Sequence, residues 1–275
     1  MWDLIAIAKA LAVSALLFIP LERLLPVPDA GRRTLKSWIV DLAHATLGGQ
    51  AIKTGATVLL ALILMGHPQS TLAASLPIGL QVILLLLISD LIIWIVHRAC
   101  HAMPLLWRFH RIHHSSTRLD WLAASRVHPC EQILMTTAIA LPMLALGFSP
   151  SATAIYLGIY EVHAVLLHAN TRMSFGPLEA IFTPPRIHHW HHADEPHAYD
   201  SNFGSQLVIW DRMFGTAYRP QRRYPKRFGV DAPPEEDFVT HLLAPFKTQP
   251  PATAVGHQPH KSSDAIPRIT PRRTR

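Results

Sequence analysis

The sequence predicts an all-α protein, a multi-pass transmembrane helical bundle with a cytosolic, histidine-rich helical cap. Three observations carry that expectation. Of 275 residues, 49% are hydrophobic and 16% charged, against about 25% charged in an ordinary soluble domain. The apolar residues gather in runs, several of them long enough for a hydrocarbon core of about 30 Å. Just outside those runs stand three histidine-rich stretches, His97-x3-His101, His110-x2-His113-His114 and His188-x2-His191-His192.

The first run, from about Leu4 to Leu25, is broken only by Lys9 and closes on Glu22-Arg23. Trp2 precedes it with no basic n-region and no small-residue cleavage site, so no removable signal peptide is expected. The second, about Ile39 to Met65, carries Asp41, His44 and Lys53 in its first half. It is either a tilted span or a span preceded by an interfacial turn. The third, about Leu76 to Val96, holds one charge, Asp90, and leads directly into His97. The fourth, about Ile133 to Leu146, breaks at Gly147-Phe148-Ser149-Pro150 and resumes from Ala152 to Leu167. Each half is short for a crossing, so the pair is either two helices in a hairpin or a re-entrant pair. The expected total is about four spans, or three plus the re-entrant hairpin. Residues 1–75 then hold the N-terminal membrane helices, 76–220 the histidine region and 221–275 an extension. From about Pro245 that extension is rich in Pro, Thr and Arg and is expected to be disordered.

Charge orients the spans. Arg23, Arg32, Arg33 and Lys36 separate the first two runs, and Arg98, Arg108, Arg111, Arg118 and Arg126 follow the third. Residues 66–75 contain no Lys or Arg. The positive-inside rule places 23–38 and 97–130 in the cytoplasm and 66–75 outside. All three histidine stretches then land on one face, the cytoplasmic one. The net charge of +7 suits an anionic membrane surface or an acidic partner protein, and no motif supports nucleic-acid binding. Cys100 and Cys130 are too few for a disulfide framework and read as reduced thiols.

Imidazole is the commonest protein ligand for transition metals. On a helix, residues i, i+3 and i+4 share one face, so His97 with His101 presents two rings side by side. His110, His113 and His114 repeat the arrangement, as do His188, His191 and His192. Adjacent His113 and His114 diverge by about 100° and can address two different metals. His168 follows an apolar helix and completes a set of nine candidate ligands. Asp90 lies two turns before His97 on the same face, a costly place for a carboxylate, and is read as orienting a ligand. His128 is either a ligand or a residue that orients one. Glu161, Asp194, Asp200 and Asp211 are further carboxylates without a ranking. The roles of His163 and His189 stay open, His197 is read as outside the ligand set, and His67, His241, His257 and His260 as solvated. No His-Glu-x-x-His occurs, which argues against a zinc protease.

These residues resemble the fatty acid hydroxylase/sterol desaturase superfamily. The resemblance rests on the three histidine boxes, Asp90, Arg126-x-His128-Pro129-x-Glu131 and His168-x-Asn170. It extends through Asp200-Ser201-Asn202-Phe203-Gly204 and Ile209-Trp210-Asp211-Arg212-Met213-Phe214-Gly215-Thr216. It runs from about residue 80 to 218. It implies a membrane oxidoreductase with two iron ions and O2 as co-substrate, hydroxylating or desaturating a lipid C–H bond. Asn170 and Asn202 enter through it as residues supporting the ligands. Without a haem-attachment Cys-x-x-Cys-His or a nucleotide-binding Gly-rich loop, electrons are expected from a separate ferredoxin or cytochrome. Trp210 and Phe214 read as packing residues that seat the cap. The rival reading is a membrane metal transporter or metal sensor. Transporters place polar ligands near the bilayer midplane, whereas these histidines begin at span ends.

Overall fold

The structure, a computed structural model, describes residues 4–28, 33–64, 71–220 and 223–247. Among these residues it is helical throughout, with no β-strand beyond isolated bridges such as Pro26 to Thr171. The helices are α1 (Leu4–Leu24), α2 (Leu35–Ala43), α3 (Ala51–Leu64), α4 (Ile78–Ala102) and α5 (Pro104–His114). They continue as α6 (Pro129–Leu146), α7 (Pro150–His168), α8 (Pro185–His191), α9 (Ile209–Met213) and α10 (Phe238–Leu243).

Four helices in succession, α5 to α8, begin on proline. There the missing N–H leaves no bond unmade and the ring pre-sets φ. α6 stops at Gly147, whose φ of 67° needs a residue without Cβ. Ser149 then caps α7 by accepting the Ala152 N–H. The break expected at 147–150 is therefore a tight turn between two helices.

The second apolar run is one continuous helical path rather than a span preceded by a turn. A π-helical segment, His44–Gln50, joins α2 to α3, so helical chain continues from residue 35 to 64 with no interfacial turn. Gly48 and Gly49 ease the widened turn, since a Cβ on Gly49 would stand 3.1 Å from the His44 carbonyl oxygen. Met65 lies outside the described residues.

α4 and α6 are long and apolar enough to cross a membrane, with mean hydropathies of 2.5 and 1.4. α4 packs against α5, α6 and α7, while α3 lies on α6 and both α1 and α8 lie on α7. Leu85 and Ile93 meet Ile139, Met143, Ala152 and Tyr156 in the core between α4, α6 and α7. The outward faces are apolar too: Leu16, Leu59, Leu62, Ile83, Ile95 and Ile159 all stand exposed. Bare apolar surface of this extent marks an interaction surface.

Two arginines counted in the charge pattern are internal. Arg126 is fully buried, its Nε 2.5 Å from Asp41 and its NH2 2.5 Å from Glu236. Arg33 bonds both Asp41 and Asp120. Each guanidinium is neutralised by carboxylates that local sequence does not place beside it. The C-terminal extension also folds back. α10 inserts His241, read as solvated, into a fully buried position where its Nδ1 lies 3.1 Å from His44 Nε2. The contact pairs residues 197 apart, beyond any local pattern. His67, His257, His260 and the tail after residue 247 lie outside the described residues.

Candidate metal centre

Nine histidines converge at one end of the helices in two groups. His97 and His101 from α4, His110 and His114 from α5, and His191 from α8 form the first. His113 from α5, His168 from α7, and His188 and His192 at α8 form the second. Within each group, one ring nitrogen per residue lies within 4.8 Å of all the others. The 100° step between neighbouring residues sends His113 and His114 to different groups, and likewise His191 and His192.

Nε2 of His110 lies 3.1 Å from Nε2 of His97, His101 and His114 at once. In the second group the Nε2 contacts are 3.2 Å for His113–His168 and 3.1 Å for His168–His188 and His188–His192. One imidazole nitrogen carries a single proton or a single lone pair, so three such neighbours do not make hydrogen bonds. Nitrogens bound to one metal at about 2.0–2.1 Å, near right angles, sit roughly 3 Å apart. The spacing fits shared ligation.

The opposite ring nitrogens explain the aim. Nδ1 of His97 donates to the Phe203 carbonyl at 2.9 Å, and Nδ1 of His191 to that of Ser201 at 2.8 Å. His113 donates to the Arg126 carbonyl at 3.0 Å and His168 to the Ala164 carbonyl at 2.8 Å. A carbonyl oxygen only accepts, so these Nδ1 atoms carry the proton and each Nε2 keeps its lone pair. His110 differs, pointing Nδ1 at the buried Glu131 carboxylate 2.6 Å away. His101 Nδ1 lies 3.4 Å from Asp200. Burial, then neighbouring imidazoles, pushes His110, His114, His188, His191 and His192 well below the ordinary imidazole pKa. For His113 the causes are the same, burial first. Neutral rings are what metal ligation requires. The Nε2 of His191 is buried with no hydrogen-bond partner, and the other nitrogens of its group surround it. A metal ion would satisfy that orphaned acceptor, so the donor set fits the group that the resemblance implies.

The residues expected to orient ligands hold the site one step further out. Asp90 touches no histidine. Its two oxygens accept the backbone N–H groups of Gln206 and Leu207 at 2.7 and 2.9 Å, which fixes the segment carrying the Phe203 carbonyl. His128 caps α6 through the Cys130 N–H and bonds the Leu242 carbonyl. Asn202 ties the Ile187 and Tyr218 carbonyls together. Asn170, buried, bonds Glu22 through its backbone N–H. Neither His163, on the Thr183 carbonyl, nor His189, on the Ala169 carbonyl, joins a group. His197 stays outside both, paired with Glu195.

Asp211 gathers the closing segment, accepting from Trp94 Nε1 and the backbone N–H groups of Phe203 and Gly204. A Cβ on Gly204 would meet the Leu207 carbonyl oxygen at 2.4 Å, so the turn admits only glycine. Phe214 stacks on Trp94 at 4.4 Å, the packing role expected of it. Sequence reasoning left Glu131 unassigned and Asp200 and Asp211 unranked. Glu131 stood in the Arg126-x-His128-Pro129-x-Glu131 motif, the only signal that could have found it.

A cavity of about 210 Å3 adjoins both groups, touching His97, His110, His113, His168 and His188. Apolar residues including Leu11, Ile93, Met135 and Val165 line much of the remainder.

Fold and site together define a class: helical proteins that bring histidine boxes from separate helices into two buried, metal-competent clusters. The fatty acid hydroxylase family profile matches residues 82–216, which contain every histidine of both groups. The chain belongs to that family. It is 29% identical over 269 residues to "Ornithine lipid hydroxylase OlsE" of Rhizobium tropici, covering 94% of this chain and 80% of the relative. Alkylglycerol monooxygenases of Danio rerio and Homo sapiens are 35% and 32% identical over 120 residues. Those alignments span 44% of this chain and 26% of each relative, so the chain matches about a quarter of their length. No solved structure matches.

Proposed function

We propose that the chain is an integral membrane lipid hydroxylase that uses O2 and two iron ions, with its histidine site on the cytoplasmic face. The observation that carries this reading is the convergence of nine buried imidazoles on two points, most with the far nitrogen anchored. The five-histidine group would hold one iron and the four-histidine group the other. Iron bound there supplies the redox chemistry that couples reduction of O2 to cleavage of an unactivated C–H bond. The chain's own residues keep the ligands deprotonated and exclude bulk water. They also offer a largely apolar cavity against five of the ligands.

The multi-pass arrangement is supported by apolar outward faces on α1, α3, α4 and α7 as well as by the length of α4 and α6. Exposed Arg98, Arg108, Arg172, Arg212, Arg223 and Arg227 suit docking of an acidic electron donor of ferredoxin or cytochrome type. For the substrate we favour an amino-acid-containing lipid over an ether lipid. α1 and α3 line the cavity. The ornithine lipid hydroxylase aligns over nearly the whole chain, whereas the alkylglycerol monooxygenases align over about half of it or less.

Lipid extracts from cells with the active chain should contain a lipid one oxygen atom heavier than in cells carrying His113→Ala with His192→Ala. The purified protein should bind two iron ions and the variant should not. A product lacking two hydrogens would move the reaction to desaturation. Full iron content in the variant would remove the metal assignment.

A further inference from the structure

One ion pair belongs to the cavity wall. Lys53 on α3 and Glu161 on α7 meet at 2.6 Å, and both line the cavity that touches the histidines. It contrasts with Arg126 and Asp41, whose side chains are fully buried in a saturated network. The Lys53 and Glu161 side chains are 30% and 44% exposed, and among the described residues their charged ends bond only each other. An ammonium has three protons to donate and a carboxylate about four lone-pair sites, so most of that capacity is not met by protein groups among the described residues. Charges on apolar helices are costly, and a tie between two helices needs neither of them.

Glu161 precedes His168 by seven residues, two helical turns on the same face and about 10 Å along α7. A group bound at the pair is thus held within reach of the histidines by one rigid element. The cavity of about 210 Å3 has room for roughly seven waters. That suits a polar headgroup, with the lipid chains lying between the helices.

We propose that Lys53 and Glu161 are specificity-determining residues that bind a zwitterionic amino-acid headgroup, its carboxylate on Lys53 and its ammonium on Glu161. The inference rests on the lipid-hydroxylase reading for its purpose, and on the cavity and ion pair for its chemistry.

The test is equilibrium binding of two radiolabelled probes to the detergent-solubilised, metal-free full chain. One is a diacyl lipid with an ornithine headgroup, and the other is a diacylglycerol of equal chain length. Lys53→Met and Glu161→Gln should each weaken ornithine-lipid binding by about 10- to 100-fold while leaving diacylglycerol within about twofold. The near-isosteric Glu161→Gln decides the matter if Lys53→Met does not fold. The reversed pair, Lys53→Glu with Glu161→Lys, restores a helix–helix ion pair and should not restore binding. Full rescue by the reversed pair, or equal loss of both probes in Glu161→Gln, overturns the headgroup site in favour of a structural tie. The iron-loaded protein separates the two ideas. Selective binding without a hydroxylated product removes the hydroxylase reading and keeps the headgroup site. Turnover of the ornithine lipid by both single variants at wild-type KM removes the site and keeps the hydroxylase.

Discussion

The five-histidine group and the four-histidine group draw on the same helices α5 and α8, yet their rings are held differently. In the first, two of five far nitrogens face carboxylates, His110 on Glu131 and His101 on Asp200. In the second, the anchors are backbone carbonyls of Arg126 and Ala164. A carboxylate partner makes its imidazole a stronger donor than a carbonyl does. The first group is therefore held partly by side chains and partly by the Phe203 and Ser201 carbonyls, and the anchors of the second are main chain alone. Substitution can adjust the electronic character of one and only the position of the other.

Removing a ligand should show the largest effect. His114→Ala in the first group and His192→Ala in the second should each lower turnover by more than the roughly 100-fold ceiling for outer partners. Iron analysis should show which group emptied. If either single variant lost both ions, the groups would be one cooperative site and the comparison would collapse.

Glu131→Gln comes next. It leaves all nine imidazoles in place, so metal affinity should fall by about 10- to 100-fold, and only at the first group. A loss confined to the second group would break the proposed division.

Asp41→Asn probes the second group through its scaffold, because Asp41 pairs the Arg126 whose carbonyl anchors His113. Breaking a buried pair by removing one partner costs about 3–5 kcal/mol, readable as a lower unfolding midpoint in detergent. Metal affinity in the first group should change less than in the second.

The smallest effect is the pH dependence of the metal-free protein. Burial, with Arg126 adding to it, pushes the His241 pKa down to about 4. A depressed histidine pKa means that the unfolded chain binds the proton first. The stability that His241 contributes is present above about pH 6.5 and lost as pH falls toward 4. Denaturation between these pH values should show a shallower slope in His241→Asn than in wild type. An unchanged slope would mean that other groups carry the dependence.

The candidate ligands were legible as groups because their signal is local. Helical spacing groups His97 with His101, and the 100° step separates His113 from His114, without knowledge of where the helices pack. Asp90 was recognised as out of place in an apolar helix, but its partners are backbone groups more than a hundred residues away. His128 read as either a ligand or a residue orienting one and is the cap of α6. Arg126 was counted with the loop charges and His241 read as solvated, because only tertiary contacts bury them. The helices α4, α6 and α7 followed from apolar length and punctuation. The continuous path from α2 into α3 was one of two readings of its run, and the π-helical segment in it was not legible because a wider turn replaces regular periodicity.

The carbonyls of Ser201 and Phe203 that aim His191 and His97 give the site an order in time. When synthesis has reached residue 180, the nascent chain carries four imidazoles of the first group and two of the second. Residues 188–192 must then emerge to complete either set, and residues 201–211 to lock the rings. Helices made early are left half equipped until a keystone made late completes them. Metal capture with the full donor set would thus belong to the finished chain.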